Sequence, residues 1–377
     1  MKRIALILAV LLVLTSCTLI KNEYIRQKLG VSKEELKEYK KTADPDVTLT
    51  DGSALMVYAM NKYANADGTF GVETDYPLKG DRKVTQVELS SSTLWISYPS
   101  DYNGEDILPV IFFTHGGSYT ASGYTTYQTV LGVFADRTNS IVFCPDYSLA
   151  PEHKFPAGVE DVWEAYLFLL EHGEEYNADA KRTVLMGDSA GGNFAAGLAI
   201  RAKEEDVTQP VGVILMYPSL CVYPVLLPSH LLFGGFDGSK TMISIKVMEH
   251  TFNSYLETPE DGLRPYASPL LMLQGAVNTR SVKNLYAECA VETDENGKYV
   301  LPDHLILLPE ADSLRDEGIS YHACLEILGT KSELKVYKGT VHAFLQLYQL
   351  LDEGEDAIKR SCKFIKEHTA TATEDNP

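Results

Sequence analysis

The residues Gly187-Asp188-Ser189-Ala190-Gly191 are the strongest indication of the fold, because they place a serine between two glycines where an apolar run gives way to a helical pattern. Thr183 to Met186 is predicted to be a buried strand, and the small residues that continue through Ala202 are predicted to form a helix. A serine in such a strand–turn–helix is held in a strained backbone conformation, so the residues two positions away must lack bulk. We therefore expect an exposed hydroxyl at a helix N-terminus, where N–H groups favour developing negative charge.

Glycine-rich turns between a strand and a helix also bind phosphate groups, and this alternative applies to the same five residues. A phosphate loop would be expected to carry a lysine or further glycines upstream. Neither is present in this turn. The pattern therefore favours a nucleophilic serine over a phosphate site.

Strands and helices alternate on both sides of this turn from Pro109 onward. Continuous apolar runs separated by helices are typical of a parallel sheet covered on both faces. One helix, 159–172, shows a predicted inner face made of Val162, Tyr166, Leu167, Leu169 and Leu170. The predicted strands are 110–113, 141–143, 183–186, 211–216, 305–308 and 334–337, with helices at 190–202 and 315–328, a final helix to about His368, and an antiparallel strand pair over 84–98 at a sheet edge.

The alternation is interrupted in places, and these places define the predicted domain organisation. The stretch 220–265 is aromatic and partly helical, 271–300 resembles a loop or insertion, and 34–66 favours short helices. We predict a signal peptide over 1–16, N-terminal helices over 17–80 that contribute to a cap, a core in two parts over 81–219 and 266–368, a helical cap insertion over 220–265 and a disordered tail over 369–377.

Two further motifs accompany the serine. His115-Gly116-Gly117 follows the strand after Pro109, where residues without side chains would let backbone N–H groups approach a carbonyl oxygen. The segment 146–152, Asp-Tyr-Ser-Leu-Ala-Pro-Glu, follows the next strand.

In this order the motifs resemble the hormone-sensitive lipase family of esterases, and the similarity extends over 307–318 and 341–344. The resemblance implies an α/β-hydrolase fold and hydrolysis of carboxylic esters. Apolar and aromatic side chains of 220–265 would wall the acyl pocket and Ser118 would narrow it, so we expect esters of short to medium acyl length. By the same resemblance, Ser189 is the nucleophile, Asp312 the acid and His342 the base. Gly116, Gly117 and the N–H of Ala190 would form the oxyanion hole, supported by His115.

The residues themselves agree with this assignment. Ser, then Asp, then His is the chain order expected for the fold, and Asp312 and His342 each follow a predicted strand. In that arrangement the serine attacks the ester carbonyl, the histidine takes and returns its proton, and the aspartate holds the imidazole. The competing residues are Asp316, predicted to serve the start of a helix, His322 within that helix, and His304 at the start of a strand.

The sequence departs from the family's pattern at three positions. Ser118 stands where a third glycine is usual, Ser148 replaces an arginine, and Ala343 replaces the glycine after the histidine. Two other functions use the same fold. One is hydrolysis of amides or of acetylated sterols, sugars or xenobiotics, and the other is non-catalytic ligand binding, in relatives that lose the catalytic histidine. We expect a small-molecule ester substrate, with no cofactor and no metal ion.

The N-terminus predicts export. Lys2 and Arg3 precede eleven apolar residues, Ile4 to Leu14, too few for the roughly 17–25 that a membrane-spanning helix needs. Leu14-Thr15-Ser16-Cys17 resembles the lipobox of bacterial lipoproteins, so we expect Cys17 to be lipidated and to give the protein its membrane contact. The alternatives are an ordinary cleaved signal peptide, giving a secreted protein, and an uncleaved anchor.

Composition restricts the remaining possibilities. The formal net charge of −19 disfavours binding to nucleic acid. The five cysteines after Cys17 show no metal-ligand spacing, and Cys144 is expected to be a small buried apolar residue.

Overall fold

The computed structural model describes residues 32–35, 37, 82–234, 243–277 and 286–370. The predicted signal peptide, Cys17, most of the predicted N-terminal helices, and residues 371–377 of the predicted tail lie outside the described residues. Of the predicted N-terminal helices, residues 33–35 and 37 are helical, and Ser32 and Glu35 exchange hydrogen bonds that cap this start.

Eight strands form one sheet in the order β1-β2-β4-β3-β5-β6-β7-β8. The first two strands pair antiparallel with each other, β2 pairs antiparallel with β4, and the remaining neighbours are parallel. This confirms the predicted strand pair at the edge and the mostly parallel sheet. The strands are β1 Val84–Glu88, β2 Thr93–Ser97, β3 Leu108–Thr114, β4 Ile141–Asp146, β5 Ala178–Asp188, β6 Gly212–Met216, β7 Asp303–Ala311 and β8 Ser332–Val341.

Helices cover both faces of the sheet. Helices α1 and α8 share one apolar cluster, whereas α2, α3, α6 and α7 share the other. Successive residues of β3 divide between the two clusters, since Ile111 and Phe113 face α1 and α8, and Val110 and Phe112 face the opposite layer. The helices are α1 Tyr124–Thr138, α2 Ala157–His172, α3 Ala190–Glu204, α4 Pro228–Gly234, α5 Ile245–Tyr255, α6 Pro269–Val277, α7 Arg315–Leu328 and α8 Asp352–Thr369.

Three predictions about these elements were wrong in part. Leu167 is 37% exposed, because a position one residue beyond Tyr166 turns away from the stripe formed by Val162, Tyr166 and Leu169. The predicted loop over 271–300 begins inside helix α6, whose residues Leu270 to Leu273 are buried. The tail prediction also began one residue early, since Thr369 is buried in α8.

The strand order creates the crevice in which the predicted site lies. Strand β3 lies between β4 and β5, and the chain leaves β3 for α1 on one face but leaves β5 for α3 on the other. At such a switch point the loops after two neighbouring parallel strands diverge and leave a crevice at their carboxyl ends. The loops after β3, β5, β7 and β8 therefore meet at one edge of the sheet.

Candidate active site

Ser189 occupies the turn between β5 and α3 with φ 53° and ψ −121°. This is a left-handed conformation that residues with a Cβ rarely adopt, at a cost of about 1–3 kcal/mol. The flanking glycines explain how the turn closes. A Cβ on Gly187 would overlap the carbonyl oxygen of Gly191, and a Cβ on Gly191 would overlap that of Thr114. The two glycines are therefore required by close packing of the backbone around the serine.

The structure brings Ser189, His342 and Asp312 together from three separate loops. His342 follows β8, and its Nε2 lies 2.9 Å from Ser189 Oγ. Its Nδ1 lies 2.8 Å from Oδ2 of Asp312, which follows β7 and is 1% exposed. The other carboxylate oxygen of Asp312 accepts the N–H of Leu314 at 3.0 Å, so the acid is held on both sides. One hydrogen-bonded chain thus links hydroxyl, imidazole and carboxylate.

The competing residues lie outside this chain. Asp316 accepts the N–H of Ser229 at 2.9 Å and pairs with Arg315 at the start of α7. His322 Nδ1 contacts Ser332 Oγ at 2.9 Å, and His304 Nδ1 contacts the carbonyl of Pro302 at 2.7 Å. Each therefore has a local structural partner.

The predicted oxyanion donors need one correction. The N–H of Gly116 is not available for a substrate, because it donates to Asp188 Oδ1 at 2.8 Å. In the described part of the chain, the N–H groups of Gly117 and Ser118 have no acceptor. Ala190 is the first residue of α3, and its N–H is among those that a helix leaves unpaired. The available donors are therefore Gly117, Ser118 and Ala190.

The loop after β3, which carries the donors Gly117 and Ser118, has an unusual backbone. Gly117, Ser118 and Tyr119 have φ values of 129°, 56° and 63°. A Cβ on Gly117 would overlap the carbonyl oxygen of Ala121, so only glycine fits there. Three consecutive residues with positive φ form a tight turn, and the unpaired N–H groups of Gly117 and Ser118 in this turn can bind an anion.

His115 lies beneath this loop as a fully buried side chain. Its Nδ1 donates to the carbonyl of Gly116 at 2.8 Å, and its ring stacks on Tyr147 at 4.2 Å between centroids. Tyr147 in turn donates its hydroxyl to the His115 carbonyl at 2.7 Å. Burial lowers the pKa of His115, so the ring stays neutral and keeps the tautomer with hydrogen on Nδ1.

Sequence reasoning missed Asp188, Tyr127 and Tyr217. The Asp188 carboxylate contacts the oxyanion loop, and the hydroxyl of Tyr127 donates to this carboxylate at 3.0 Å. The Tyr217 ring packs edge-on against the His342 ring, with 4.9 Å between their centroids. The available signal was an aspartate ending an apolar strand, since a buried carboxylate requires donors.

Ala343, which follows His342, is one of the positions at which the sequence departs from the family's pattern. Ala343 has φ 60° and ψ 20°, a left-handed conformation that favours glycine. The methyl group of Ala343 therefore lies on a strained backbone. The change leaves the contacts of His342 with Ser189 and Asp312 in place.

A cavity of about 420 Å³ lies among the segments that follow β6. One wall is tied to the loop of Asp312, because Ser229 Oγ donates to the carbonyl of Ser313 at 2.6 Å. On another side, Tyr255, next to the lining residue Leu256, stacks on Tyr119 of the oxyanion loop at 4.0 Å. Neighbours of the cavity thus contact the acid loop and the oxyanion loop, whereas the described lining residues include none from the triad or from these two loops. The lining is mainly apolar: Val222, Val225, Ile245, Met248, Phe252 and Leu256.

The described residues lack two further features, a metal-binding cluster and a membrane-spanning helix. They hold no group of three or more His, Cys, Asp or Glu side chains that could bind a metal ion. None of their helices is both long enough and apolar enough to span a membrane. Cys144, Cys221, Cys289, Cys324 and Cys362 are buried as free thiols.

The chain belongs to the alpha/beta hydrolase fold family, whose model matches residues 111–346. The matched region contains Ser189, Asp312, His342 and the oxyanion loop. This confirms the fold class that the motif order predicted.

Named relatives include several esterases. An ethyl acetate hydrolase of Pseudomonas putida is 26% identical over 262 residues, which cover 68% of this chain and 73% of that one. A protein of Acanthamoeba polyphaga mimivirus, named as an alpha/beta hydrolase, is 30% identical over 246 residues, which cover 65% of this chain and 64%, just under two thirds, of the relative. The structure of a hyperthermophilic esterase from Pyrobaculum calidifontis is similar with a TM-score of 0.66 and 26% identity, covering 92% of this chain and 98% of that chain.

Proposed function

We propose that this protein is a serine esterase that cleaves carboxylic esters of short to medium acyl length. The observation that carries the proposal is the chain of hydrogen bonds from Ser189 Oγ through His342 to Asp312, at 2.9 and 2.8 Å. The motif order similar to the hormone-sensitive lipase family and the esterases among its relatives support the same activity.

In the first half of the reaction, Ser189 attacks the ester carbonyl carbon while His342 Nε2 takes the hydroxyl proton. His342 then gives this proton to the leaving alcohol, and an acyl-enzyme remains on Ser189. A water molecule, deprotonated by the same histidine, releases the acid in the second half. Asp312 keeps hydrogen on Nδ1 and stabilises the imidazolium that forms in each half.

The negative oxygen of the tetrahedral intermediate is stabilised by the N–H groups of Gly117, Ser118 and Ala190. These groups need no reorganisation during the reaction, because the positive φ values of the loop and the start of α3 orient them beforehand. Removing one such donor typically lowers kcat by about 10²–10³-fold.

We take the cavity after β6 as the pocket for the acyl or alcohol group, because its neighbours Ser229 and Tyr255 contact the acid loop and the oxyanion loop. Its volume then favours groups of limited size. Its volume of about 420 Å³ lies at the lower end of ligand pockets, which range over about 300–1,000 Å³. Each methylene buried against its apolar walls contributes about 0.8 kcal/mol until the space is full. Selectivity should therefore rise with chain length and then fall.

The described part of segment 220–265 supplies the cavity walls, and we propose that this segment and residues 17–80 form a cap over the site.

We also propose that the protein is exported and anchored to a bacterial membrane through lipid on Cys17. This anchor is supported by the basic N-terminus, the short apolar run after it and the residues Leu14 to Cys17. Stable anchoring requires more than one acyl chain, because a single chain binds membranes only marginally.

The experiment that tests the activity is hydrolysis of p-nitrophenyl butyrate by the purified protein and by Ser189→Ala. We expect hydrolysis by the wild type and a loss of roughly 10⁴–10⁶ in kcat for the variant, as in other triads. Equal rates for the two proteins would contradict the proposal.

A further inference from the structure

Asp188 is a buried carboxylate to which the proposed reaction assigns no chemical step. It is the last residue of β5, directly before the nucleophile, and is 2% exposed. Its Oδ1 accepts the N–H of Gly116 at 2.8 Å, and its Oδ2 accepts the hydroxyl of Tyr127 at 3.0 Å. Among the described residues, no lysine or arginine forms an ion pair with it, and the main contributions to its electrostatic environment come from burial, Gly116, Tyr127 and His342. Burying a carboxylate without a cationic partner is costly, so the fold tolerates a real penalty here.

The Gly116 residue is held from both ends. Asp188 holds its N–H, and the His115 ring holds its carbonyl oxygen at 2.8 Å. A peptide unit is planar and trans, so the N–H of Gly117 points away from the carbonyl of Gly116. Fixing that carbonyl therefore fixes the direction of the Gly117 N–H, which is an oxyanion donor in the proposed function.

The contact leaves no space for a side chain. A Cβ on Gly116 would lie 2.8 Å from Asp188 Oδ2 and 3.0 Å from the Tyr127 hydroxyl. Glycine at this position lets the backbone approach the carboxylate closely. The residue predicted as an oxyanion donor thus has a different use, as the attachment point of the loop.

We propose that Asp188 is a positioning residue, whose ionised carboxylate holds the oxyanion loop in place relative to Ser189 through the Gly116 N–H. This inference rests on the proposed esterase function and adds a requirement to it. Ser189 and the donors Gly117 and Ser118 lie on loops after different strands, β5 and β3, and Asp188 connects the two loops. Loss of its charge should lower kcat while leaving KM nearly unchanged, because the donors act mainly on the transition state.

The electrostatic surroundings make this contact sensitive to pH. Burial raises the pKa of Asp188 to about 6 from an ordinary value of 3.8, while the bonds from Gly116 and Tyr127 and the charge of His342 act in the opposite direction. The groups that face it are Tyr127 of α1, Cys144 and Tyr147 near the end of β4, Tyr217 after β6 and His342 after β8. Burial raises the pKa of the three tyrosines and the cysteine, so these stay neutral, and His342 is the facing group that can carry positive charge.

Activity and stability should therefore change in opposite directions. Because the folded-state pKa lies above 3.8, the native state binds this proton more tightly than the unfolded state does. Asp188 thus adds stability as the pH falls from about 6 toward 3.8 and removes stability as the pH rises. Catalysis should decline over the same fall in pH, because a neutral carboxyl group accepts the Gly116 N–H more weakly.

The test compares wild type, Asp188→Asn, Tyr127→Phe and a matched control, Asp146→Asn. Asp146 also ends a strand and accepts two N–H groups, from Tyr124 and Trp95, but it has no bond to the oxyanion loop. Steady-state kcat and KM for p-nitrophenyl butyrate are measured from about pH 5 to pH 9 at the isosbestic wavelength of the product, with urea unfolding in parallel.

We expect Asp188→Asn to lower kcat about tenfold at pH 8, the difference between a charged and a neutral acceptor, with KM and stability maintained or stability increased. Tyr127→Phe should shift the acid limb of kcat to higher pH, because losing this donor raises the pKa of Asp188. Asp146→Asn should leave kcat and its acid limb unchanged.

Other results would overturn the inference. An Asp188→Asn enzyme with wild-type kcat and an unchanged acid limb would do so, as would a loss of kcat that parallels a loss of stability. An unshifted limb in Tyr127→Phe would also count against it. Wild-type hydrolysis that is absent in Ser189→Ala establishes the esterase beforehand, so these results would refute the positioning role alone.

Discussion

Replacing Gly117 with alanine tests the oxyanion loop most severely. Gly117 has φ 129°, in a region that is almost restricted to glycine. The new Cβ would overlap the Ala121 carbonyl oxygen and lie 2.8 Å from its carbon. Carbon atoms in contact prefer about 3.5–4.0 Å, so the loop must shift by roughly 0.7 Å or more. The N–H of Gly117 moves with it.

A shift of that size is large for a catalytic group. A misplacement of about 1 Å can cost about 10²-fold in rate, and losing one oxyanion donor costs about 10²–10³-fold. We therefore expect Gly117→Ala to lower kcat for p-nitrophenyl butyrate by about 10²-fold or more, with a smaller effect on KM.

Gly104→Ala is the matched control. Gly104 also has positive φ, 89°, but no atom lies within 4 Å of a Cβ built there. Both variants should lose about 1–2 kcal/mol of stability from the left-handed backbone, and Gly104→Ala should keep wild-type kcat. Steady-state kinetics with urea unfolding separates the two effects. A Gly117→Ala enzyme that folds and keeps kcat within about threefold of wild type would refute the role of this loop.

Asp312→Asn should lower kcat by about 10⁴-fold, because the histidine loses its required tautomer, whereas Asp316→Asn should retain most activity; the reverse ranking in steady-state kinetics would place the acid one helical turn later. On p-nitrophenyl esters, kcat/KM should be highest at roughly two to eight acyl carbons and low for emulsified long-chain triglycerides, and a preference for about sixteen carbons or more would indicate a true lipase. Cys17→Ser should move the enzyme from the membrane to the soluble fraction of a bacterial host, and an unmodified N-terminus at another residue in mass spectrometry would contradict the lipobox interpretation.

The sequence was informative where a strict local pattern meets a simple packing rule. The serine turn could be predicted because Gly187 and Gly191 must lie against backbone, and the structure places both in such contacts. The parallel strands were recognisable from continuous apolar runs with helices between them. Chain order then indicated Asp312 and His342. The structure places His342 within hydrogen-bond distance of both Ser189 and Asp312.

What failed depends on neighbours that are distant in the chain. Helix α6 was missed because Leu270 to Leu273 form a continuous apolar run, which fits neither a helical nor a strand period. Gly116 was wrongly assigned as an oxyanion donor, because its hydrogen bond to Asp188 joins residues 72 positions apart and no local sequence pattern indicates it. Apart from the start of the tail, the predicted domain boundaries stay predictions, as do the lipid anchor and the chemical roles of the site residues.

We expect Ser189 to form a covalent acyl-enzyme with help from His342. The most direct measurement is labelling with a p-nitrophenyl alkylphosphonate, in which the serine oxygen displaces p-nitrophenolate from phosphorus, followed by peptide mass spectrometry. We expect one phosphonylated serine, Ser189, with no label on Ser189→Ala and much slower labelling of His342→Ala, since the hydroxyl then lacks its base. A label on another serine, or ester hydrolysis that persists at the wild-type rate in Ser189→Ala, would contradict the account.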